Sequence, residues 1–357
     1  MSSTEPRTGH PYHMHDAIYA QPGALRLVMR GQGDVLVKAA TRLAGAPHVW
    51  LTGVGTSWHA ALAGELLLAG PGRLGTRVRA INAFELLHYG PAAASGEGAV
   101  VISHRGHSPS GPATLARTRG AGGVTVAITG KGSDGLAAAE HVLRTVDQEA
   151  SGCHTVSYTT ALAVLASLAA ALGHDDDLAR QVDALPDQLA LLLGQESWEG
   201  LAERFGGRRR YWFVGGGPNV ATACEAALKL SEAAWLSAIG LECEQFLHGP
   251  WAALEPDDVV FVVAPPGPSH ARCLDVARVA SGIGASVVAL IAEDDRDLGA
   301  LAAETIALPD VPELLSPITA VVPLQLLIYH LAVRAGANPD TVRAQTPHGR
   351  ARAAAAP

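Results

Sequence analysis

The sequence predicts an α/β protein made of two duplicated three-layer α/β/α domains with parallel sheets. First, short apolar runs rich in β-branched residues alternate with helical stretches of 10–15 residues, which is typical of βαβ units covered on both faces. Second, residues 49–68 (VWLTGVGTSWHAALAGELLL) and 211–230 (YWFVGGGPNVATACEAALKL) share one order of strand, glycine turn and Ala/Leu-rich helix. Self-similarity about 160 residues apart indicates a duplication.

The remaining elements follow the same order in both copies. In the first copy, GAVVISHRGHS (98–108) precedes a helical segment and the strand-like VTVAIT; in the second, DDVVFVVAPPG (257–267) precedes a helical segment and SVVALIA. AFELLHYGP (83–91) also corresponds to CEQFLHGPW (243–251). We predict an N-terminal arm (1–30), a first domain (31–175), a helical connector (176–205), a second domain (206–336) and a C-terminal tail (337–357).

Composition excludes several classes of protein. The 357 residues are 48% hydrophobic and only 17% charged, which is too apolar for a disordered chain. A net charge of −8 argues against nucleic acid as a partner, because phosphate binding needs concentrated cations. The four cysteines form no CxxC pair, so we expect them to be reduced and buried.

Two segments bear on location. The N-terminal MSSTEPRTGHPYHMHD has no apolar core, so we expect no signal peptide. The apolar stretch Ile318–Val333 contains Pro323, Gln325 and His330 and is shorter than a bilayer span, which predicts a buried helix. We therefore expect a soluble, cytoplasmic protein with no membrane partner.

Open parallel sheets bind ligands at the carboxyl ends of their strands, where turns meet helix N-termini. The turn Gly53–Ser57 and the loop Ser103–Ser108 fall at such positions. A dinucleotide-binding GxGxxG motif does not fit, because Trp58 stands where the third glycine belongs. We expect no cofactor.

The order of motifs resembles tandem sugar isomerase (SIS) domains, which are flavodoxin-like, and most closely the isomerase half of glucosamine-6-phosphate synthase. HMHDAIYAQPGALRLVMRG resembles that family's entry arm, GVGTS its first sugar-binding turn and ISHRGHS its phosphate loop. ALKLSEAAWLSAIGLECEQFLHGP resembles its catalytic stretch, and VPELLSP with PLQLLIYHLAV its closing segment. The resemblance implies a sugar-phosphate site without the glutamine-hydrolysing half, since Ser2 stands where that half requires cysteine.

The resemblance assigns the chemistry to a helix in the second copy. Moving a carbonyl between C1 and C2 of a sugar requires a base beside C2, and Glu232 matches the family's base. Lys229 and Glu225 lie three and seven residues earlier, so all three share one helical face and Lys229 would keep the carboxylate ionised. The alternative is an ordinary exposed ion pair at i, i+3.

His248, in LHGP, matches the family's ring-opening histidine, whose near-neutral pKa lets it shuttle a proton. In the family this residue enters the site from the neighbouring subunit, which implies a homodimer with an intersubunit active site. The alternative is a histidine that satisfies loop carbonyls before Pro250.

Hydroxyl groups at the first-copy turns match the family's phosphate- and sugar-binding positions: Thr56, Ser57, Ser103 and Ser108. Hydroxyls and free N–H groups at a helix start suit an anion, although serine there is also an ordinary N-cap. Glu149, in DQEASGCHTVSYTT, matches a glutamate that opens the loop closing the first pocket.

The sequence departs from the family in its phosphate loop, where Ser-Gln-Ser is replaced by Ser103-His104-Arg105. Arg105 either holds a phosphate through two hydrogen bonds or excludes the usual ligand by its bulk. His104, His107 and His154 fall at pocket-lining positions, where they are rim residues or, as an alternative, zinc ligands.

The tail departs as well. The family's synthase has a tail lysine that engages the ketose carbonyl, but the last of the three lysines here is Lys229, and Pro347 stands near the expected position. Chemistry would then proceed by acid/base steps alone, or Lys229 takes over, or the activity is changed. Arg343 and His348 are the possible substitutes in the tail.

Three functions stay open on the sequence. One is a sugar-phosphate enzyme, either an aldose–ketose isomerase or an amino-sugar phosphate deaminase. Another is a sugar-phosphate-binding regulator that has lost catalysis. The last is an isomerase of an atypical sugar from specialised metabolism, whose anion Arg105 would hold.

Overall fold

A computed structural model describes residues 5–195 and 198–355 and divides the chain into two compact units. The first-copy unit comprises Gln21–Gln148 and Val156–Leu189. The second-copy unit comprises the arm up to Ala20, the loop Glu149–Thr155 and the chain from Ala190 onward. The loop between the last strand of the first copy and its long helix is therefore part of the second-copy unit.

Each unit contains a five-stranded, fully parallel sheet. The strands of the described residues are, in chain order, β1 (Val49–Thr52), β2 (Val78–Ala80), β3 (Gly98–Ile102), β4 (Val124–Thr129), β5 (His141–Arg144), β6 (Tyr211–Gly215), β7 (Ala238–Glu242), β8 (Val259–Val263), β9 (Ser286–Ile291) and β10 (Glu304–Ala307). The sheet orders are β2-β1-β3-β4-β5 and β10-β9-β8-β6-β7. Read from β7, the second order is the same as the first, which confirms the duplicated parallel-sheet architecture.

Helices cover the sheets. They are α1 (His13–Tyr19), α2 (Gln21–Arg30), α3 (Gly33–Ala44), α4 (Thr56–Ala69), α5 (Ala83–His88), α6 (Ser110–Gly120), α7 (Val156–Gly173), α8 (Asp176–Leu193), α9 (Trp198–Phe205), α10 (Asn219–Ala233), α11 (Cys243–Leu247), α12 (His270–Ile283), α13 (Arg296–Gly299), α14 (Ser316–Arg334) and α15 (Pro347–Ala354). Because both faces of each sheet are covered, the central strands β3, β4, β6 and β8 are buried along their whole length.

Two helices form the apolar centre of their units. Segments Val156–Gly173 and Glu313–Arg334 are long and apolar enough to cross a bilayer by length and composition, but each is 89% buried within the protein. The expected buried helix around Ile318–Val333 is thus observed as α14, which packs against α10 and α9.

The N-terminal arm is held by the tail in the second-copy unit. The backbone N–H groups of His13 and Met14, in the first turn of α1, donate to the two carboxylate oxygens of Asp340 at 2.9 Å each. The Tyr329 hydroxyl of α14 accepts from the Tyr12 N–H at 3.0 Å. The arm and the tail therefore belong to the same unit as α10.

Candidate active site

The centre of the candidate site is one face of α10. Lys229 ion-pairs with Glu232, three residues on, and its Nζ lies 3.5 Å from Glu225 Oε1, four residues before. The Glu225 and Lys229 side chains are 0% and 1% exposed, whereas Glu232 is 26% exposed. The three side chains therefore share one helical face, as predicted. The alternative was an ordinary exposed ion pair, but the lysine of this pair is buried.

The charge state of Lys229 follows from this packing. Burial alone would lower the pKa of its ammonium, but the negative charges of Glu225 and Glu232 outweigh burial and raise the pKa above its ordinary value. Lys229 is therefore a permanent ammonium at neutral pH. An ammonium has no free electron pair, so this lysine is suited to hold a carboxylate and unsuited to form an imine.

A thiol that sequence reasoning treated only as a buried cysteine touches the same carboxylate. Cys153 Sγ lies 3.8 Å from Glu232 Oε2, within the limit for a sulfur hydrogen bond. Burial raises the pKa of the Cys153 thiol, so it keeps its proton and donates it. Its position four residues after Glu149 was the available signal, but only the loop conformation brings it to the carboxylate.

The loop that carries Cys153 is fixed at both ends. The Glu149 carboxylate accepts from the backbone N–H of Thr155 at 3.0 and 3.1 Å and from its hydroxyl at 3.3 Å. The Gly152 N–H donates to the Asp340 carbonyl at 2.7 Å, and a side chain at Gly152 would lie 2.8 Å from that oxygen. Glu149 thus shapes the loop around Cys153.

The tail reaches the end of α10 through an arginine. The Arg343 guanidinium lies over the Trp235 ring, with its carbon 4.5 Å from the ring centroid. Val342, Arg343 and Trp235 all have positive φ, between 45° and 62°, a costly conformation for non-glycine residues. Of the two substitutes named for the missing tail lysine, Arg343 contacts the segment after α10, while His348 is exposed on α15.

The first-copy turn has the close approach that the sequence predicts at a helix start. A side chain at Gly53 would lie 2.6 Å from the Ser57 backbone, and Gly55 has a φ of +56°. The turn therefore requires glycine at these positions. It places Thr56 and Ser57, both half-buried, in the first turn of α4, directly after β1.

The predicted phosphate loop follows β3. The Ser103 hydroxyl accepts from the Gly106 N–H at 3.2 Å, and a side chain at Gly106 would lie 2.4 Å from Ser133 Oγ. Ser133 donates to the Arg105 carbonyl at 2.9 Å, and the Arg105 side chain is exposed. Ser108 is half-buried just before α6. The loop is thus a closed turn with one exposed guanidinium on its rim.

The histidines of this region do not behave alike. A side chain at Gly130 would lie 2.8 Å from the His104 ring, which is therefore packed closely against the backbone of the loop. Burial, together with the charge of Arg105, lowers the pKa of His104 to about 4, so it is neutral at physiological pH. His107 is exposed, and His154 is half-buried in the loop of Cys153. Among residues 5–195 and 198–355, no three His, Cys, Asp or Glu side chains are arranged to hold a metal ion, which gives the zinc alternative no support.

His248 ends the short helix α11, and its side chain is 70% exposed. Its Nδ1 lies 2.8 Å from the Glu244 carbonyl and 3.3 Å from a Glu244 carboxylate oxygen. Glu244 is itself paired with Arg272 of α12 at 2.6 Å. The imidazole is thus largely exposed, and its Nδ1 is engaged on α11.

Two α/β/α units with parallel sheets and loops of this kind define an SIS architecture, and comparison with known proteins agrees. The chain matches the SIS domain family over residues 42–172 and 207–335 and belongs to that family.

The chain is 32% identical over 351 residues to glutamine–fructose-6-phosphate aminotransferase (isomerizing) of Thermococcus kodakarensis, covering 94% of this chain and 58% of the relative. It therefore spans a little over half the length of the curated relatives that it matches. The C-terminal domain of glucosamine-fructose-6-phosphate aminotransferase from Francisella tularensis superposes with a TM-score of 0.83 at 20% identity, covering 93% of this chain and 99% of that one. Glucosamine-6-phosphate deaminase from Thermotoga maritima superposes with a TM-score of 0.71 at 20% identity, covering 92% and 97%. The predicted tandem SIS organisation and the resemblance to the synthase's isomerase half are confirmed.

Proposed function

We propose that this protein is a sugar-phosphate enzyme that transfers a proton between C1 and C2 of a hexose-6-phosphate-like substrate. The observation that carries the proposal is the face of α10, where a buried ammonium and a thiol hold the one partly exposed carboxylate, Glu232. A base must be fixed and reachable, and the ion pair with Lys229 and the partial exposure of Glu232 support both conditions.

In this mechanism Glu232 removes the C2 proton and returns it to C1. Lys229 holds the carboxylate in place through the buried end of the ion pair. The Cys153 thiol contacts the same carboxylate oxygen of Glu232, Oε2, as the Lys229 ammonium does. Because Lys229 is an ammonium, the reaction proceeds by proton transfers without an imine to this lysine.

Ring opening falls to His248, whose exposed imidazole would act across a homodimer interface in the partner subunit's site. Phosphate binding falls to the first-copy loops with Thr56, Ser57, Ser103, Ser108 and Arg105. The N-termini of α4 and α6 add their partial positive charge. We further propose a cytoplasmic location, with neither membrane nor nucleic acid as a partner.

Two reactions share this proton transfer: aldose–ketose isomerisation and amino-sugar phosphate deamination. The relatives' names include both an isomerising aminotransferase and a deaminase. The deciding experiment is a panel of hexose, hexosamine and heptose phosphates scored for isomer formation and for ammonia release. Isomer without ammonia identifies the isomerase, and ammonia released from a hexosamine phosphate identifies the deaminase.

The mechanism is tested with Glu232→Gln, matched to Glu203→Gln on an exposed part of α9. We expect the first variant to lose activity by about 10²–10⁴-fold and the second to keep it. Unchanged activity in Glu232→Gln would overturn the role of this residue.

One observation favours a second candidate, a regulator that binds a sugar phosphate without turning it over. The segment 337–357 has no lysine, and its Arg343 is engaged on Trp235. Tight binding with no turnover of any sugar in the panel would support this candidate. The remaining function is an isomerase of an atypical sugar that the panel does not contain. A ligand-bound structure in which Arg105 contacts an anionic group of such a sugar would support it.

A further inference from the structure

The second copy has its own pair of glycine-containing loops at the carboxyl ends of two strands, and the proposed function assigns them no role. The turn Gly215–Gly217 follows β6 and leads into α10, and the loop 264–269 follows β8 and leads into α12. They occupy the same places in the topology as the first-copy turn Gly53–Ser57 and loop Ser103–Ser108.

A side chain of the protein itself fills this second position. The Ser269 hydroxyl, just before α12, donates to Glu313 Oε1 at 2.6 Å. A side chain at Gly267 (φ +159°) would lie 2.4–2.8 Å from the Glu313 carboxyl atoms, and one at Gly217 would lie 3.8 Å from Oε1. The carboxylate therefore rests against both glycine loops that lead into helices of 15 and 14 residues.

The backbone of Glu313 is held by two buried polar side chains. The Ser316 hydroxyl donates to the Glu313 carbonyl at 2.7 Å, and the buried Asn219 amide, the first residue of α10, donates to that hydroxyl at 2.8 Å. A side chain at Gly216 would lie 2.4 Å from Ser269 Cβ, so the two loops are also close to each other. The backbone of Glu313 is thus tied to the start of α10.

The surroundings also disfavour an external anion. A cavity of about 330 Å³ beside Gly267 is lined by Asp294 and Asp295, and Asp295 lies 2.5 Å from the His270 ring. A phosphate entering this cavity would meet these two carboxylates, of which Asp295 is paired with His270. The start of a helix favours negative charge, and here the chain supplies that charge from its own sequence.

We infer that Glu313 is an internal anion that occupies the second copy's counterpart of the phosphate site. The protein consequently takes one sugar phosphate per chain, on the first-copy loops. The stoichiometry rests on the proposed function, whereas the role of Glu313 does not.

The experiment compares the parent protein with Glu313→Ala, using Glu293→Ala, an exposed carboxylate, as the matched control. Binding of inorganic phosphate is measured by calorimetry, and thermal stability is measured with increasing formate or phosphate. We expect Glu313→Ala to gain a phosphate site about tenfold tighter than any the parent shows at this loop, and to be stabilised by formate more than the control. Adding Ser269→Ala removes the gained site. No gained site and no rescue by formate would overturn the inference.

A second variant covers the case in which Glu313→Ala does not fold. Glu313→Gln keeps the shape and the hydrogen bond from Ser269 but removes the charge, so it should have a lower Tm than the parent, while Glu293→Gln should not. Equal stability of Glu313→Gln and the parent would contradict an anionic role.

Calorimetry of the parent protein with glucose 6-phosphate and fructose 6-phosphate separates the two proposals. One site per chain supports both, and two sites overturn the inference. No binding at all counts against the proposed function, while the phosphate and formate results still decide the role of Glu313.

Discussion

The two copies treat equivalent glutamates differently. Glu149 lies between β5 and α7, and Glu313 lies between β10 and α14, at the same place in the duplicated order. The Glu149 carboxylate accepts hydrogen bonds from Thr155, which lies six residues further on in the same loop. The Glu313 carboxylate instead accepts a hydrogen bond from Ser269, which lies 44 residues earlier, just before α12. Under the proposed function the two copies therefore have different tasks: the loops of the first copy bind the ligand, whereas the second copy fills its own loops with Glu313 and contributes the α10 helix with Glu232.

The largest expected effect concerns Lys229 on α10, in the second copy. Lys229→Met removes the ammonium between Glu225 and Glu232 and leaves a buried carboxylate without a counter-charge. We expect a loss of about 3–5 kcal/mol in the free energy of unfolding, together with loss of activity. Urea denaturation measures it, with the exposed Lys38→Met as control; equal stability of the two variants would mean that the buried pair contributes nothing.

The next effect is the pH dependence of stability that His104 causes in the first copy. The pKa of His104 is lowered from 6.5 to about 4, so as pH falls below about 6.5 the unfolded state binds a proton that the folded state refuses. Stability is therefore lost between pH 6.5 and 4, by up to about 3 kcal/mol at the lower limit. His104→Gln should reduce this acid sensitivity and His107→Gln should not; parallel pH curves for the parent and His104→Gln would contradict it.

The comparison of the copies is sharpened by their loops. Arg105→Gln on the open loop should raise KM for the sugar phosphate about tenfold with kcat little changed, because a charge-assisted phosphate contact is lost. Ser269→Ala on the closed loop should leave KM unchanged. Steady-state kinetics on both variants measures the difference, and an equal rise in KM would erase the distinction between the loops.

The smallest effect is expected at Cys153. Cys153→Ala removes one weak hydrogen bond to Glu232 and should lower kcat by a few-fold, since such a bond contributes about 1 kcal/mol or less. The control is Cys224→Ala, whose thiol lies on α10 and points to the Gly240 carbonyl instead. An unchanged kcat in Cys153→Ala would mean that the thiol is only a packing residue.

The sequence predicted much of this architecture. Alternating strands and helices, with a repeat about 160 residues long, were sufficient for the duplicated parallel sheets, because burial on both faces leaves a plain apolar signature. The shared face of Glu225, Lys229 and Glu232 followed from helical spacing alone.

What the sequence did not predict depends on loops. The contact of Cys153 with Glu232 joins residues 79 apart and depends on a loop shaped by Glu149 and Asp340. The close packing of His104 against Gly130 and the reach of Glu313 to Ser269 likewise arise from tertiary structure, for which short-range patterns carry no signal. These are the features that distinguish the two copies.

Asp340 has a consequence for how the molecule forms. Its carboxylate caps α1 from a position 327 residues further along the chain, and its carbonyl receives the Gly152 N–H of the Cys153 loop. During synthesis neither the cap on α1 nor the hydrogen bond to Gly152 can form until Asp340 has left the ribosome. Contacts between residues so far apart in the sequence slow folding, and these two contacts cannot form before Asp340 has been made.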